Sequence, residues 1–164
     1  MKKIIIVAPI SDSLINFRGD LIQDMKNKGC EVITVSPTPS EEYSNIFKQK
    51  KISNISINIK RNKMNILNDL ILLGKLFKIF KKQSPDIILS YAIKPVIWSG
   101  LASKFCKTDF YALITGLGFA FQGTSFKRKL LTRLVVFLYR VALKKSKAVI
   151  FQNKDNLNLF VDKG

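Results

Sequence analysis

Apolar residues in this chain come in short unbroken runs separated by amphipathic stretches, the alternation expected when strands and helices take turns. Ile4 to Ala8 is a continuous apolar run, as in a central strand buried on both faces. Pro9 to Phe17 reads as a loop. From Asp20 to Lys28, Leu21, Ile22 and Met25 share one helical face, Asp24, Lys26 and Lys28 the other, and Gly29 stops the helix. Glu31 to Val35 reads as a second strand and Pro37 to Glu42 as a loop. Phe47 to Lys51 shows no clear period. Ile55, Ile57 and Ile59 alternate with Ser56 and Asn58, which predicts a short strand at or near an edge. Asn65 or Asn68 caps a long helix through Lys82, whose Ile66, Leu67, Leu70, Ile71, Leu73, Leu76, Phe77 and Phe80 form a broad apolar face; Pro85 ends it.

The stretch that organises the rest follows. Asp86 to Ser90 is a short strand that breaks at Tyr91 to Pro95, and Val96 to Phe105 is a helix with small residues at Ser99, Gly100, Ala102 and Ser103. Phe110 to Thr115 is a strand running into Gly116-Leu117-Gly118. Strand, helix and strand in this span make a βαβ unit with parallel strands and a right-handed crossover. Phe126 to Lys145 is then a helix, Lys147 to Gln152 a strand and Asn153 to Val161 a last helix. The expected fold is a single α/β domain over residues 1–164, with about six mostly parallel strands and helices on both faces. In such a sheet ligands bind at the carboxyl ends of the strands.

Composition sharpens this. With 164 residues and 47% apolar side chains, the chain can bury one real core and is not disordered. Its formal charge is +17, which points to an anionic partner; lysines scattered by a Lys-, Ile- and Asn-rich composition are the plain alternative. There is no histidine, which excludes Ser-His and Cys-His catalysis and His-ligated metals in this sequence. Cys30 and Cys106 lack metal-like spacing and read as free thiols in a reducing compartment; neither metal nor cofactor is expected. The apolar run at the N-terminus is too short for a signal peptide, and no uncharged run approaches the ~18 residues of a membrane span. A cytoplasmic protein is the expectation.

Four features could carry chemistry. No Asp or Glu occurs from Phe110 through Lys154, while Lys127, Arg128, Lys129, Arg133 and Arg140 crowd the 126–145 helix. That helix is either packed between the sheet and another element, with its charges at the ends, or pressed on anionic lipid, where each basic side chain adds about 1 kcal/mol; the two are compatible. Gly116-Leu117-Gly118 is not the dinucleotide fingerprint. Its glycines serve either a tight turn or a backbone close to a ligand, with Phe119 and Phe121 offering apolar surface. Lys94 beside Tyr91 is either a solvated loop lysine or a cation over a diphosphate. Ser11, Ser13 and Asn16-Phe17-Arg18-Gly19, between the first strand and the first helix, suit an anion. Asp12 is a weak general-base candidate if it reaches a hydroxyl, and otherwise a loop or capping residue.

In order along the chain, Phe17-Arg18-Gly19, Lys94-Pro95 with Gly100 to Lys104, Ile114 to Phe121, and Val149 to Asn153 with Asp155 and Phe160 carry a likeness. It resembles the N-terminal half of GT-B glycosyltransferases of the family 4 type, as in bacterial capsule, O-antigen and other lipid-linked glycan synthesis. The resemblance implies a Rossmann-like, doubly wound acceptor domain that faces a second domain across a cleft. The acceptor is often a sugar on a polyprenyl diphosphate at the membrane. The second domain binds the nucleotide sugar with two glutamates seven residues apart, and the transfer needs no metal. On this reading Ser11, Ser13, Arg18, Tyr91, Lys94, Thr115, Gly116, Gly118 and Phe119 bind the acceptor, and Lys127, Arg128, Lys129, Arg133 and Arg140 meet the inner face of the cell membrane, where the protein is peripheral. Ser13, Lys94 and Gly118 should be neighbours along one rim. The sequence stops at Gly164, where the link to the nucleotide-sugar domain would begin, so three expectations stay open: an inactive truncated remnant, a fragment, or one subunit whose other half is a separate chain. The reading of a different class is a non-enzymatic basic α/β module that binds nucleic acid. Phe119 and Phe121 argue against it, because they cluster with glycines instead of alternating with lysines.

Overall fold

The computed structural model describes residues 1–59, 65–116 and 126–162. The strands are β1 (Lys3–Val7), β2 (Glu31–Ser36), β3 (Ser53–Ser56), β4 (Ile87–Tyr91), β5 (Asp109–Ile114) and β6 (Ala148–Phe151). The helices are α1 (Asp12–Asn16), α2 (Gly19–Asn27), α3 (Glu41–Gln49), α4 (Ile66–Gln83), α5 (Ile93–Ser103), α6 (Phe126–Leu143) and α7 (Lys154–Asp162). The strands form one sheet in the order β3-β2-β1-β4-β5-β6, and every pairing is parallel. The chain winds outward from β1 to β3, returns through α4 to β4 beside β1, and winds outward again. The reversal point lies between β1 and β4, where a doubly wound sheet opens its crevice.

Strand periodicity divides the core in two. Ile5, Val7, Val35, Ile88, Phe110 and Ile114 face α4, α5 and α6 through Leu76, Phe80, Val96, Val135 and Tyr139. Ile4, Ile6, Val32, Leu89 and Tyr91 face the other helical layer through Leu14, Ile22 and Phe47. α5 lies between α4 and α6. Its seat against α6 depends on Gly100, where a Cβ would stand 2.9 Å from the Ala142 carbonyl oxygen and 3.0 Å from the Phe110 ring.

Several boundaries differ from the sequence reading, each for a local reason. The expected loop at 9–17 contains α1, anchored by buried Leu14 and by the Ser13 hydroxyl, which donates to the Ile10 carbonyl at 2.7 Å. The loop at 37–42 ends at Ser40, whose side chain caps α3 by accepting from the Tyr43 amide. Glu41 and Glu42 then suit the positive end of that helix. Phe47, where no period was visible, is buried in its last turn. β3 is at the edge but spans Ser53–Ser56, and Ile57 and Ile59 are buried beyond it. Asn65, not Asn68, caps α4: its side chain accepts from the Asn68 amide. α5 begins three residues early, at Ile93, with Pro95 in the first turn, where a missing amide hydrogen costs no helical bond.

Candidate functional site

Ser13 and Tyr91 join the two strands that flank the reversal point. Their hydroxyl oxygens lie 2.7 Å apart. Because Ser13 gives its own hydrogen to Ile10, the Tyr91 phenol is the donor to Ser13. The Arg18 guanidinium carbon sits 5.3 Å from the Tyr91 ring centroid, a cation–π distance. Its Nη1 donates to the Phe17 carbonyl at 2.7 Å, while its Nε is buried with no hydrogen-bond partner among the described residues. Burial pushes the Tyr91 phenol above its ordinary value, and the Ser13 hydrogen bond and the Arg18 charge offset part of that. Tyr91 is therefore a neutral donor at physiological pH. Next to this cluster, buried Ser11 donates to the Asp12 carboxylate at 2.9 Å, so the general-base candidate already holds a hydroxyl of its own chain.

Ala92 turns the chain from β4 into α5 in a single residue, at φ 67° and ψ 160°. That conformation belongs almost wholly to glycine, and holding alanine there costs on the order of 1–3 kcal/mol. The turn sends Tyr91 toward α1 and Lys94 toward the opposite layer. The Lys94 ammonium lies 2.8 Å from the Asp69 carboxylate in the first turn of α4, and the two side chains are only 13% and 6% exposed. Lys94 is thus no solvated loop lysine. Asp69 went unnoticed in the sequence. It lies in register with Leu72, Leu76 and Phe80 at helical spacing, and an acid on a buried stripe calls for a buried cation. Thr115 and Gly116 follow β5, the next strand out, and both are half-buried; a Cβ on Gly116 would meet nothing within 4 Å. Gly118, Phe119 and Phe121 lie outside the described residues, as do the side chains of Lys127 and Arg128.

α6 has two faces. Val135, Tyr139 and Ala142 are buried, while Leu130 and Phe137 are each 60% exposed and Leu134 is 44% exposed. Lys129, Arg133 and Arg140 are exposed among those apolar side chains.

Residues 4–153 match the family profile described as Glycosyl transferase 4-like. The chain belongs to that family. No curated protein matches it by sequence. Among solved structures, MurG from Acinetobacter baumannii is similar at TM-score 0.62 and 13% identity, over 95% of this chain and 42% of that one. S. aureus MnaA with UDP is similar at TM-score 0.66 and 18% identity, over 100% and 42%. Anabaena Alr3699/HepE in complex with UDP and glucose is similar at TM-score 0.67 and 14% identity, over 100% and 41%. Such identities establish the shared fold, a Rossmann-like α/β domain of the GT-B kind, and this chain spans about two fifths of those structures.

For this glycosyltransferase 4-like domain, the arrangement puts one cation on each side of the β1–β4 rim. Arg18 stands with hydroxyl groups on the α1 side, and Lys94 is held by a carboxylate on the α4 side. Hydroxyl oxygens that can accept from sugar hydroxyls, beside fixed cations, suit a sugar joined to a phosphate. Among the described residues, no group of three or more His, Cys, Asp or Glu could hold a metal ion, and no helix is long and apolar enough to cross a membrane.

Proposed function

We propose that this chain is the acceptor-binding half of a glycosyltransferase that moves a sugar from a nucleotide sugar onto a glycan acceptor carried on polyprenyl diphosphate, in surface polysaccharide synthesis. The observation that carries the reading, within a domain of this family, is Arg18: its guanidinium is stacked on Tyr91 at the reversal point of the sheet and retains a buried Nε donor with no partner among the described residues. A buried donor without a partner is costly, and an anionic oxygen would satisfy it. In this scheme Arg18 and Lys94 take the diphosphate, and Ser11, Ser13 and Tyr91 position acceptor hydroxyls. Thr115 and Gly116 wall the far side, Gly118 and Phe119 are the remaining acceptor-binding candidates, and Asp12 is the general-base candidate. The nucleotide sugar binds a second domain that faces this one across a cleft. UDP in the MnaA structure, and UDP with glucose in the HepE structure, support nucleotide-sugar chemistry in this fold. The basic side chains of α6 hold the domain on the inner face of the cell membrane.

The test is binding of a polyprenyl-diphosphate-linked sugar in detergent micelles. Arg18→Ala should weaken it about tenfold or more, the range of one lost charge-assisted contact. Equal binding by wild type and variant would end the assignment. Retention on DNA with a steep salt slope, and no binding to the lipid-linked sugar, would favour the nucleic-acid module instead.

A further inference from the structure

Phe17 combines a fixed backbone with a side chain left in water. It closes α1, and its amide donates to the Ser13 carbonyl at 3.2 Å. Its own carbonyl accepts from Arg18 Nη1 at 2.7 Å. The side chain is nevertheless 72% exposed and stacks on no other ring among the described residues. A single exposed apolar side chain on an ordinary surface needs no explanation. This one stands on the segment that follows the carboxyl end of β1, next to the cation stacked on Tyr91.

The polar groups beside it are only half used. Asn16 Nδ2 donates to the Tyr43 phenol at 2.8 Å and so ties the end of α1 to the first turn of α3. That bond occupies one amide hydrogen and one lone pair of the phenol. Asn16 Oδ1 and the hydrogen of the Tyr43 hydroxyl have no partner among the described residues. Asn16 is exposed and Tyr43 half-buried, so an acceptor and a donor stand side by side within reach of solvent. A phosphate would call for donors alone, and a lipid tail for neither. A pyranose asks for this combination: its C–H bonds make one apolar face, and each hydroxyl on its edge both donates and accepts.

We propose that Phe17, Asn16 and Tyr43 form a sugar subsite, in which the apolar face of a pyranose lies on the Phe17 ring and its hydroxyls pair with Asn16 Oδ1 and the Tyr43 hydroxyl. This rests on the acceptor-binding reading above, in which Arg18 takes the diphosphate. It adds which unit of the acceptor is read, and by which side chains. Arg18 follows Phe17 directly and is bonded to its carbonyl, so the sugar on Phe17 is the one joined to the phosphate. Ser13 and Tyr91 then meet that sugar from the crevice side. Phe17, Asn16 and Tyr43 carry no charge, so they set preference for the sugar and leave the affinity for the diphosphate to Arg18.

The full chain in detergent micelles is titrated with polyprenyl diphosphates that carry one hexose or one N-acetylhexosamine, with bare polyprenyl diphosphate, and with UDP. Wild type should bind at least one sugar-bearing lipid more tightly than the bare one. Phe17→Ala should abolish that preference, a loss of about fivefold or more for the sugar-bearing lipid, and bind the bare lipid as wild type. Tyr43→Phe, which removes only the hydroxyl, should weaken the sugar-bearing lipid about threefold. Phe17→Trp keeps an aromatic face and should keep the preference. Phe17→Ala removes an exposed side chain and should melt with wild type. If Phe17→Ala binds every lipid as wild type, or weakens sugar-bearing and bare lipid alike, the inference is overturned. A wild type that binds both lipids equally also overturns it, while the diphosphate reading stands. If wild type binds neither lipid, the acceptor reading itself fails and takes this subsite with it. UDP binding that is lost in Phe17→Ala would put a nucleobase on the ring and make the inference wrong.

Discussion

The two helical layers on this sheet are built alike and charged in opposite senses. α1, α2 and α3 carry Asp12, Asp20, Asp24, Glu41 and Glu42 against Lys26 and Lys48. On the other face, α4 alone carries Lys75, Lys78, Lys81 and Lys82 and α6 carries five basic residues, against Asp69 in α4 and, with Lys154, Asp155 and Asp162 in α7. A compositional drift toward lysine would load both layers equally. The asymmetry therefore bears on the ambiguity that the +17 charge leaves open: excess charge gathered on one layer describes a surface, not a background. The apolar exposure follows the same division. Leu67, Leu70, Ile71, Leu130, Leu134 and Phe137 all lie on the basic layer, whereas the acidic layer exposes Leu21 and, beside it, Phe17.

The sharpest way to break the comparison is to remove the acid from the basic layer. Asp69→Leu leaves the Lys94 ammonium buried beside apolar carbon, and losing one partner of a buried pair costs about 3–5 kcal/mol. The midpoint of urea unfolding should fall accordingly. Asp69→Leu/Lys94→Leu should recover most of that loss, because a buried pair gains little over apolar packing. If the double variant is as unstable as the single one, the pair is doing more than cancelling its own desolvation. Gly100→Ala comes next. Its methyl would press on the Ala142 carbonyl and the Phe110 ring, and overpacking of this kind costs about 1–3 kcal/mol. Unchanged thermal melting would mean that α5 and α6 shift apart freely, and that the outer surface they form is not fixed.

How much of this was legible beforehand depends on the range of the forces involved. All six strands were visible, because apolar runs bounded by Gly, Pro and polar residues reflect local burial in a two-sided sheet. The order β3-β2-β1-β4-β5-β6, and with it the reversal point between β1 and β4, came only with the structure. α1 was not visible: five residues with one buried leucine give no period, and its anchor is a hydroxyl bonded to Tyr91, 78 residues away. Asp69 was overlooked for a related reason. Its partner sits 25 residues further on, and only folding shows that the two first turns touch. Ala92 left no trace, since nothing in an alanine announces a positive φ. At the candidate site, the serines, Arg18, Tyr91 and Lys94 could be named from strand ends alone. Their division between the two faces of the rim could not.

A smaller effect tests the acidic side of the rim. The folded-state phenol of Tyr91 is raised by burial, and so is that of Tyr139. A raised folded value means that the native state favours the protonated phenol. That stability is complete below the ordinary value near 10 and is lost as pH climbs through the raised values. Unfolding midpoints should therefore fall progressively as pH rises above about 10. Tyr91→Phe should lose about 0.5–1.5 kcal/mol at pH 7, since Ser13 keeps Ile10 as an acceptor, and should flatten part of the alkaline slope. A slope unchanged in Tyr91→Phe would assign all of it to other groups.

The smallest expected change in stability is also the cleanest comparison of the layers. Lys48→Glu on α3 and Arg133→Glu on α6 reverse one exposed charge each, far from any buried pair. Exposed substitutions of this kind shift stability by no more than about 0.5 kcal/mol, so both variants should melt within a few degrees of wild type. On anionic vesicles they should part company. A bilayer that meets only the α4–α6 surface gains about one unit of attraction per basic side chain near it, roughly fivefold in affinity, so Arg133→Glu should weaken binding by that factor or more. Lys48→Glu stands on the far layer, beyond the ~10 Å over which salt leaves such charges visible, and should bind as wild type. Equal weakening by both would show that the vesicles sense net charge alone. The two layers would then differ in composition but not in role.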